Sequence, residues 1–154
     1  MSLLKAKNYL KKYGFENRIM EFNESSATVE LAAKILHCQE GEIAKTLAFL
    51  IDDKPILIVM SGNYKVDNHK FKEEFSVKPR MIAGEMVEEL IGHSIGGVCP
   101  FGVNENVNIY LDASLKQFAF IYPAAGSSNS AVKLSLEELE SISNYKKWVD
   151  VCKQ

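Results

Sequence analysis

The stretch Ile43-Ala44-Lys45-Thr46-Leu47-Ala48-Phe49-Leu50-Ile51 constrains this chain more than any other. It reads as a buried β-strand carrying a single charge. Side chains alternate between the two faces of a strand. Ile43, Lys45, Leu47, Phe49 and Ile51 therefore share one face, and Ala44, Thr46, Ala48 and Leu50 share the other. An ammonium in an apolar layer costs on the order of several kcal/mol unless it is paired or reaches water. Lys45 thus borders a solvent-filled pocket, pairs with a buried carboxylate, or runs its stem along apolar surface to the strand end.

The elements around this strand follow from periodicity and turn chemistry. Residues 2–13 read as a helix with Leu3, Leu4, Ala6, Leu10 and Tyr13 on one stripe, stopped by Gly14. A short strand is expected around Arg18 to Phe22. The cluster Asn23-Glu24-Ser25-Ser26 can cap a second helix, about Thr28 to Leu36. Asp52-Asp53-Lys54-Pro55 turns the Lys45 strand into Ile56 to Met60, which is apolar throughout and suits a strand covered on both faces. Asp67 can cap a short helix carrying Phe71 and Phe75. Val77 to Ile82 reads as a short strand and Gly84 to Leu90 as a helix ended by Gly92. Further strands are expected at 107–111, 118–122 and 131–134. Ser135 and Glu138 form a capping box, and the stretch from Tyr145 to Cys152 reads as a last helix. Strands joined in hairpins with helices between them indicate the α+β class, with a curved, barrel-like sheet, mixed or mainly antiparallel, surrounded by helices.

A chain of 154 residues fits one domain, 1–154, with a full hydrophobic core. Its 47% hydrophobic and 25% charged residues are ordinary for a globular protein. No apolar run is long enough to span a membrane, and the lysine-containing N-terminal pattern lacks the features of a signal peptide. The expected location is cytoplasmic, with no membrane partner. The three cysteines, Cys38, Cys99 and Cys152, are widely spaced, and with His37, His69 and His93 they show no metal-ligand spacing. No metal or cofactor is expected. A formal charge of −2 gives no global attraction to nucleic acid. DNA is not an expected partner, and contact with RNA would have to use a local basic patch.

Two stretches can carry chemistry. Gly96-Gly97-Val98-Cys99-Pro100 has the form G-x-x-x-P, whose glycines open conformations closed to other residues. Such a loop can aim backbone N–H groups at a carbonyl oxygen, or it can simply be a tight entry to a strand. Gly126-Ser127-Ser128-Asn129-Ser130 is rich in small hydrogen-bonding groups and suits a polar ligand or a solvated turn. Cys99 with His93 as its base is a third candidate, but no nucleophile signature surrounds it, and free cysteines are usually buried. Lys65, Lys70, Lys72, Lys78 and Arg80 are diluted by Asp67, Glu73 and Glu74, and read as a mixed surface.

Taken in order, several segments resemble one family. They are Thr28 to Ala33, Ile43 to Leu47, Ser61-Gly62, Gly96 to Gly102, Tyr110-Leu111-Asp112, Tyr122 to Gly126 and Ser130 to Leu134. The ordered set is similar to the YbaK family, freestanding aminoacyl-tRNA deacylases related to the editing domain inserted in bacterial prolyl-tRNA synthetase. The resemblance implies hydrolysis of the ester between a wrong amino acid and the terminal adenosine of a tRNA. The family's essential lysine matches Lys45, which would hold the substrate near its terminal nucleotide. The loop from Gly96 and Gly97 to Pro100 would bind the ester carbonyl through its amides. Thr46 matches a residue lining the amino-acid pocket, with Phe22 and Thr28 in the same wall. Ser127, Ser128 and Asn129 fall in the loop that closes the site.

The implied partner is the 3′ acceptor end of an aminoacyl-tRNA, best matched by tRNA(Pro) carrying a small wrong amino acid such as Ala, Cys, Ser or Thr. An aminoacyl-tRNA synthetase is a candidate second partner. The alternative is a non-catalytic module that keeps the pocket to bind aminoacyl-adenosine or a synthetase.

Overall fold

The computed structural model describes residues 2–24 and 28–154. In chain order it contains helix α1 (Ser2–Lys11), strand β1 (Ile19–Glu21), helix α2 (Val29–Leu36), the strand pair β2 (Ile43–Ile51) and β3 (Lys54–Ser61), and strand β4 (Lys65–Val66). Helices α3 (Asn68–Phe75) and α4 (Gly84–Ile91) follow, then β5 (Asn108–Asp112), β6 (Phe120–Pro123), β7 (Ser130–Val132) and β8 (Leu134–Ser135). Helix α5 (Leu136–Ile142) and strands β9 (Lys147–Val149) and β10 (Cys152–Lys153) complete the chain. Among the described residues the main sheet has six strands in the order β8-β6-β2-β3-β5-β9. Two antiparallel ribbons flank it, β1 with β7 and β4 with β10.

The sheet is mixed and curled into a half-barrel, as expected from the sequence. β2 and β3 are antiparallel, while β2–β6, β3–β5 and β5–β9 are parallel. The tight turn between β2 and β3 places Asp52 and Asp53 at φ 49° and 64°. Two successive left-handed residues match the twist of a two-residue hairpin. β3 is the central strand, and Ile56, Leu57, Ile58, Val59 and Met60 are all buried. One face of the β2–β3 pair packs Phe49, Ile56, Ile58 and Met60 on Phe71 of α3 and on Val149 and Val151. The other packs Ala44, Ala48, Leu57 and Val59 against α1, α4 and α5. Each fully buried Leu, Ile or Phe contributes about 1.5–3 kcal/mol by removal from water.

The helix ends follow their local chemistry. The Thr28 hydroxyl caps α2 by accepting from the Leu31 amide at 3.2 Å. Asp67 caps α3 through the His69 and Lys70 amides. The Ser135–Glu138 capping box starts α5. Ser25 and Ser26 lie outside the described residues. α1 ends two residues earlier than the periodicity suggests, where the Phe15 amide returns to the Leu10 carbonyl at 3.0 Å.

Two expectations are corrected. The stretch from Tyr145 to Cys152 is not a helix. It forms β9, which extends the sheet beside β5, and β10, which pairs with β4. Open strand edges there satisfy its backbone groups, overriding the apolar spacing that mimics a helix. The 77–82 stretch is not a regular strand. It makes a single bridge from Met81 to Phe49.

Candidate functional site

β2 has different neighbours along its outer edge. It pairs with β6 only at Ile43–Tyr122 and Ala44–Pro123. Further on, the 80–82 segment takes over, with the Leu50 amide donating to the Arg80 carbonyl at 2.9 Å and the Ile82 amide to the Ala48 carbonyl at 3.1 Å. Between these ties, among the described residues, no strand pairs with this edge at Lys45, Thr46 and Leu47. A cavity of about 410 Å³ fills the split, which is the size range of small-molecule sites.

α2 supplies one wall through Thr28, Val29, Ala32 and Leu36. The 43–48 stretch of β2 lines the base. Met81, Ile82, Val87, Ile95, Gly96 and Val98 form the opposite side, and Tyr122, Ala124, Ser130 and Ala131 complete it. Among the described residues no helix is long and apolar enough to cross a membrane.

Lys45 is half-buried in this lining, and its Nζ donates to the Gly62 carbonyl at 3.2 Å. No carboxylate pairs with it among the described residues. Of the three readings of this lysine, the structure shows the one at a pocket wall. Gly62 can hold that carbonyl in place because its own Cα is packed tightly. A Cβ there would lie 2.3 Å from the Glu40 carbonyl oxygen and 2.7 Å from Val29 Cγ1. Burial holds the Lys45 ammonium below the ordinary lysine range, with the nearby Cys152 sulfur acting in the opposite sense. Thr46 points to the other face, and its Oγ1 is buried without a hydrogen-bond partner. An unmet buried hydroxyl costs about 1–3 kcal/mol, and Thr46 Oγ1 is such an atom in the cavity wall, without a partner among the described residues.

The glycine loop is fixed by close backbone stacking. A Cβ on Gly97 would sit 2.3 Å from the Gly126 carbonyl oxygen, and one on Gly126, at φ 97°, would sit 2.4 Å from the Ser2 carbonyl oxygen. Three backbone segments therefore pack with no side chain between them. Gly96 lines the cavity, whereas Gly97 and Pro100 lie behind it and shape the loop. The Gly97 amide donates to the Ser94 carbonyl at 3.0 Å and is spent within the loop. Val98 lines the cavity as well.

The remaining sequence candidates divide. Thr28 and Thr46 line the cavity. Phe22 faces a separate hollow with Leu31, Lys34 and His37, and its amide donates to the Asn129 carbonyl at 2.8 Å. Asn129 Nδ2 returns a hydrogen bond to the Phe22 carbonyl at 2.9 Å. The Ser127 hydroxyl donates to Asn129 Oδ1 at 2.9 Å and lies 2.6 Å from the Ser130 hydroxyl. These bonds stiffen the 126–130 loop, which reaches the cavity through Ser130. Ser128 lies beside Gly96, 3.4 Å from where a Cβ on that glycine would stand. Sequence reasoning missed Met81, Ile82, Val87 and Ile95. An Ile directly before two glycines was the one available cue, and Ile95 is 66% exposed at the rim.

Cys99 and His93 are both fully buried. His93 Nε2 donates to the Phe101 carbonyl at 2.6 Å, and Cys99 Sγ lies 3.5 Å from the same nitrogen. His93 Nδ1 has no partner, which fits the neutral Nε2–H form. Burial lowers the His93 pKa and pushes the Cys99 thiol up to about 12. Neither residue lines the cavity.

A family model described as "Aminoacyl-tRNA editing domain" matches residues 23–142. The "Uncharacterized protein YwhH" of Bacillus subtilis (strain 168) is 46% identical over 99% of this chain and 98% of its own length. The "Putative Cys-tRNA(Pro)/Cys-tRNA(Cys) deacylase EbsC" of Enterococcus faecalis (strain ATCC 700802 / V583) is 27% identical over 80% of this chain and 76% of its own. A solved structure described as "a putative trans-editing enzyme for prolyl tRNA synthetase" superposes with a TM-score of 0.89 at 27% identity, covering 99% of this chain and 98% of that one.

Proposed function

The chain belongs to the aminoacyl-tRNA editing domain family, and from that premise we propose that it deacylates mischarged aminoacyl-tRNA in trans. Water adds to the ester carbonyl carbon, the bond from that carbon to the ribose oxygen breaks, and the ribose oxygen leaves with a proton. The products are free amino acid and tRNA. An aminoacyl ester is already activated, so positioning and carbonyl polarisation suffice. Lys45 holds the terminal nucleotide, and the backbone of the 96–98 stretch polarises the carbonyl. The amino-acid side chain lies toward Thr46, and the largely aliphatic walls favour a small residue. The resemblance to proline–tRNA ligases supports tRNA(Pro) carrying Ala, Cys, Ser or Thr as the substrate class.

One observation carries this reading: a half-buried ammonium without an acid partner among the described residues shares a cavity with a glycine loop. The test is a deacylation panel of tRNA(Pro) charged with Ala, Cys, Ser, Thr and Pro, with enzyme far below substrate. Selective turnover of a wrong amino acid is expected. Saturable binding with no turnover on any member would identify a non-catalytic module instead.

A further inference from the structure

Tyr122 stands between the cavity and a neighbouring hollow. That ring, together with Leu36, bounds both, and the hollow is the more open, at about 520 Å³. Phe120 lines it and is 46% exposed, although it begins a strand whose next residue, Ile121, is fully buried. Lys133, which follows β7, holds its ammonium 4.7 Å from the Phe120 ring centre and 6.0 Å from that of Tyr122. Arg18 also lines the hollow, but Glu138 neutralises it at 2.7 Å. Lys133 is in no ion pair among the described residues, so the hollow has one uncompensated cation between two aromatic rings.

An exposed ring, Phe120, and a partly buried one, Tyr122, beside a cation in no ion pair among the described residues are the elements that bind single-stranded nucleic acid. Bases stack on aromatic faces, and lysine meets the phosphodiester. Here these elements adjoin the cavity through shared walls, so a chain whose terminal residue fills the cavity runs directly into them. We propose that this hollow binds the unpaired nucleotides on the 5′ side of the terminal aminoacyl-adenosine. The identity of the ligand as a tRNA end rests on the deacylase reading, whereas the affinity for unpaired RNA rests on the hollow itself. A protein whose overall charge is −2 would thereby meet RNA through a local patch.

Two measurements test the subsite, one of them independent of hydrolysis. Isotope-labelled protein is titrated with the ribotrinucleotide CCA and followed by NMR. Amide shifts should cluster at 120–122 and 133, and Phe120→Ala should weaken binding about tenfold. The second variant, Lys133→Ala, should reduce the salt dependence of binding by about 0.7 in log–log slope. Absent shifts, or shifts confined to other surfaces, would overturn the subsite. In kinetics, Phe120→Ala should lower kcat/KM for mischarged tRNA about tenfold more than for aminoacyl-adenosine, which lacks the preceding nucleotides. An equal effect on both substrates would overturn it. If the wild type hydrolyses neither substrate, the deacylase reading fails, and the titration alone decides the subsite.

Discussion

The polar centres around Lys45 and around His93 both sit in apolar surroundings, and they are built in opposite ways. At Lys45 a charged group faces a cavity, held by one carbonyl, with a second polar atom, Thr46 Oγ1, left unmet nearby. At His93 and Cys99 neutral groups are sealed from solvent, and their hydrogen bonds run to the Phe101 backbone. By residue type alone the His–Cys pair is the more reactive. The structure reverses that order, because burial removes access and suppresses the thiolate. Each centre holds one buried atom without a partner among the described residues, Thr46 Oγ1 and His93 Nδ1, so access separates them: the Lys45 centre lines a cavity and the His93 centre does not.

The sharpest way to break this contrast is Lys45→Ala. It should reduce kcat/KM by about one to two decades, the scale of losing one charged hydrogen bond to the substrate. Thermal stability should not fall, since the variant removes a desolvated charge that no carboxylate compensates among the described residues. A stability loss with intact activity would make Lys45 structural. His93→Ala should do the reverse. Emptying a buried site and stranding the Phe101 carbonyl should cost about 2–4 kcal/mol in urea unfolding, with the rate per folded molecule near wild type.

Thr46→Val sharpens the contrast within the cavity itself. It replaces the orphaned hydroxyl with a methyl of similar volume, and should stabilise the free protein by about 1 kcal/mol. Selectivity among Ala, Ser, Thr and Cys esters should weaken at the same time. Loss of stability would mean that Oγ1 has a partner in solution.

The smallest effect is on pH dependence. Burial lowers the Lys45 pKa, so its charge is lost at a lower pH than that of an exposed lysine as the pH rises. KM for aminoacyl-tRNA should therefore climb before the ordinary lysine range, and Lys45→Arg, which stays protonated, should flatten that climb. The sign for stability follows the same shift. The folded state binds this proton less tightly than the unfolded state, so the Lys45 penalty is present at neutral pH and is relieved as pH rises through the lowered pKa.

The Lys45 centre was legible in the sequence because one charge broke an otherwise apolar alternation, and a period of two assigns faces without knowledge of the fold. The Ser135–Glu138 capping box and the Asp52-Asp53 turn were legible for the same reason, as their chemistry is local. The last residues were not. Tyr145, Trp148 and Cys152 have helical spacing, yet the open edges of β5 and β4 decide their conformation, and an edge is a property of the folded sheet. The far wall of the cavity was hidden similarly. Met81, Ile82 and Val87 reach it only because the 80–82 segment meets β2 where β6 has diverged. Gly96 uses the backbone freedom that glycine allows, at φ 89°, whereas Gly97 has no positive φ. The requirement at Gly97 comes from close approach to Gly126, and its own amide is turned inward to Ser94.

The most direct measurement is single-turnover deacylation of one mischarged tRNA(Pro) by the wild type, Lys45→Ala and Cys99→Ala under identical conditions. The expected result is a loss of about one to two decades for Lys45→Ala and a rate close to wild type for Cys99→Ala. A Lys45→Ala variant that retains the wild-type rate, with activity lost instead on removing the Cys99 thiol, would contradict it.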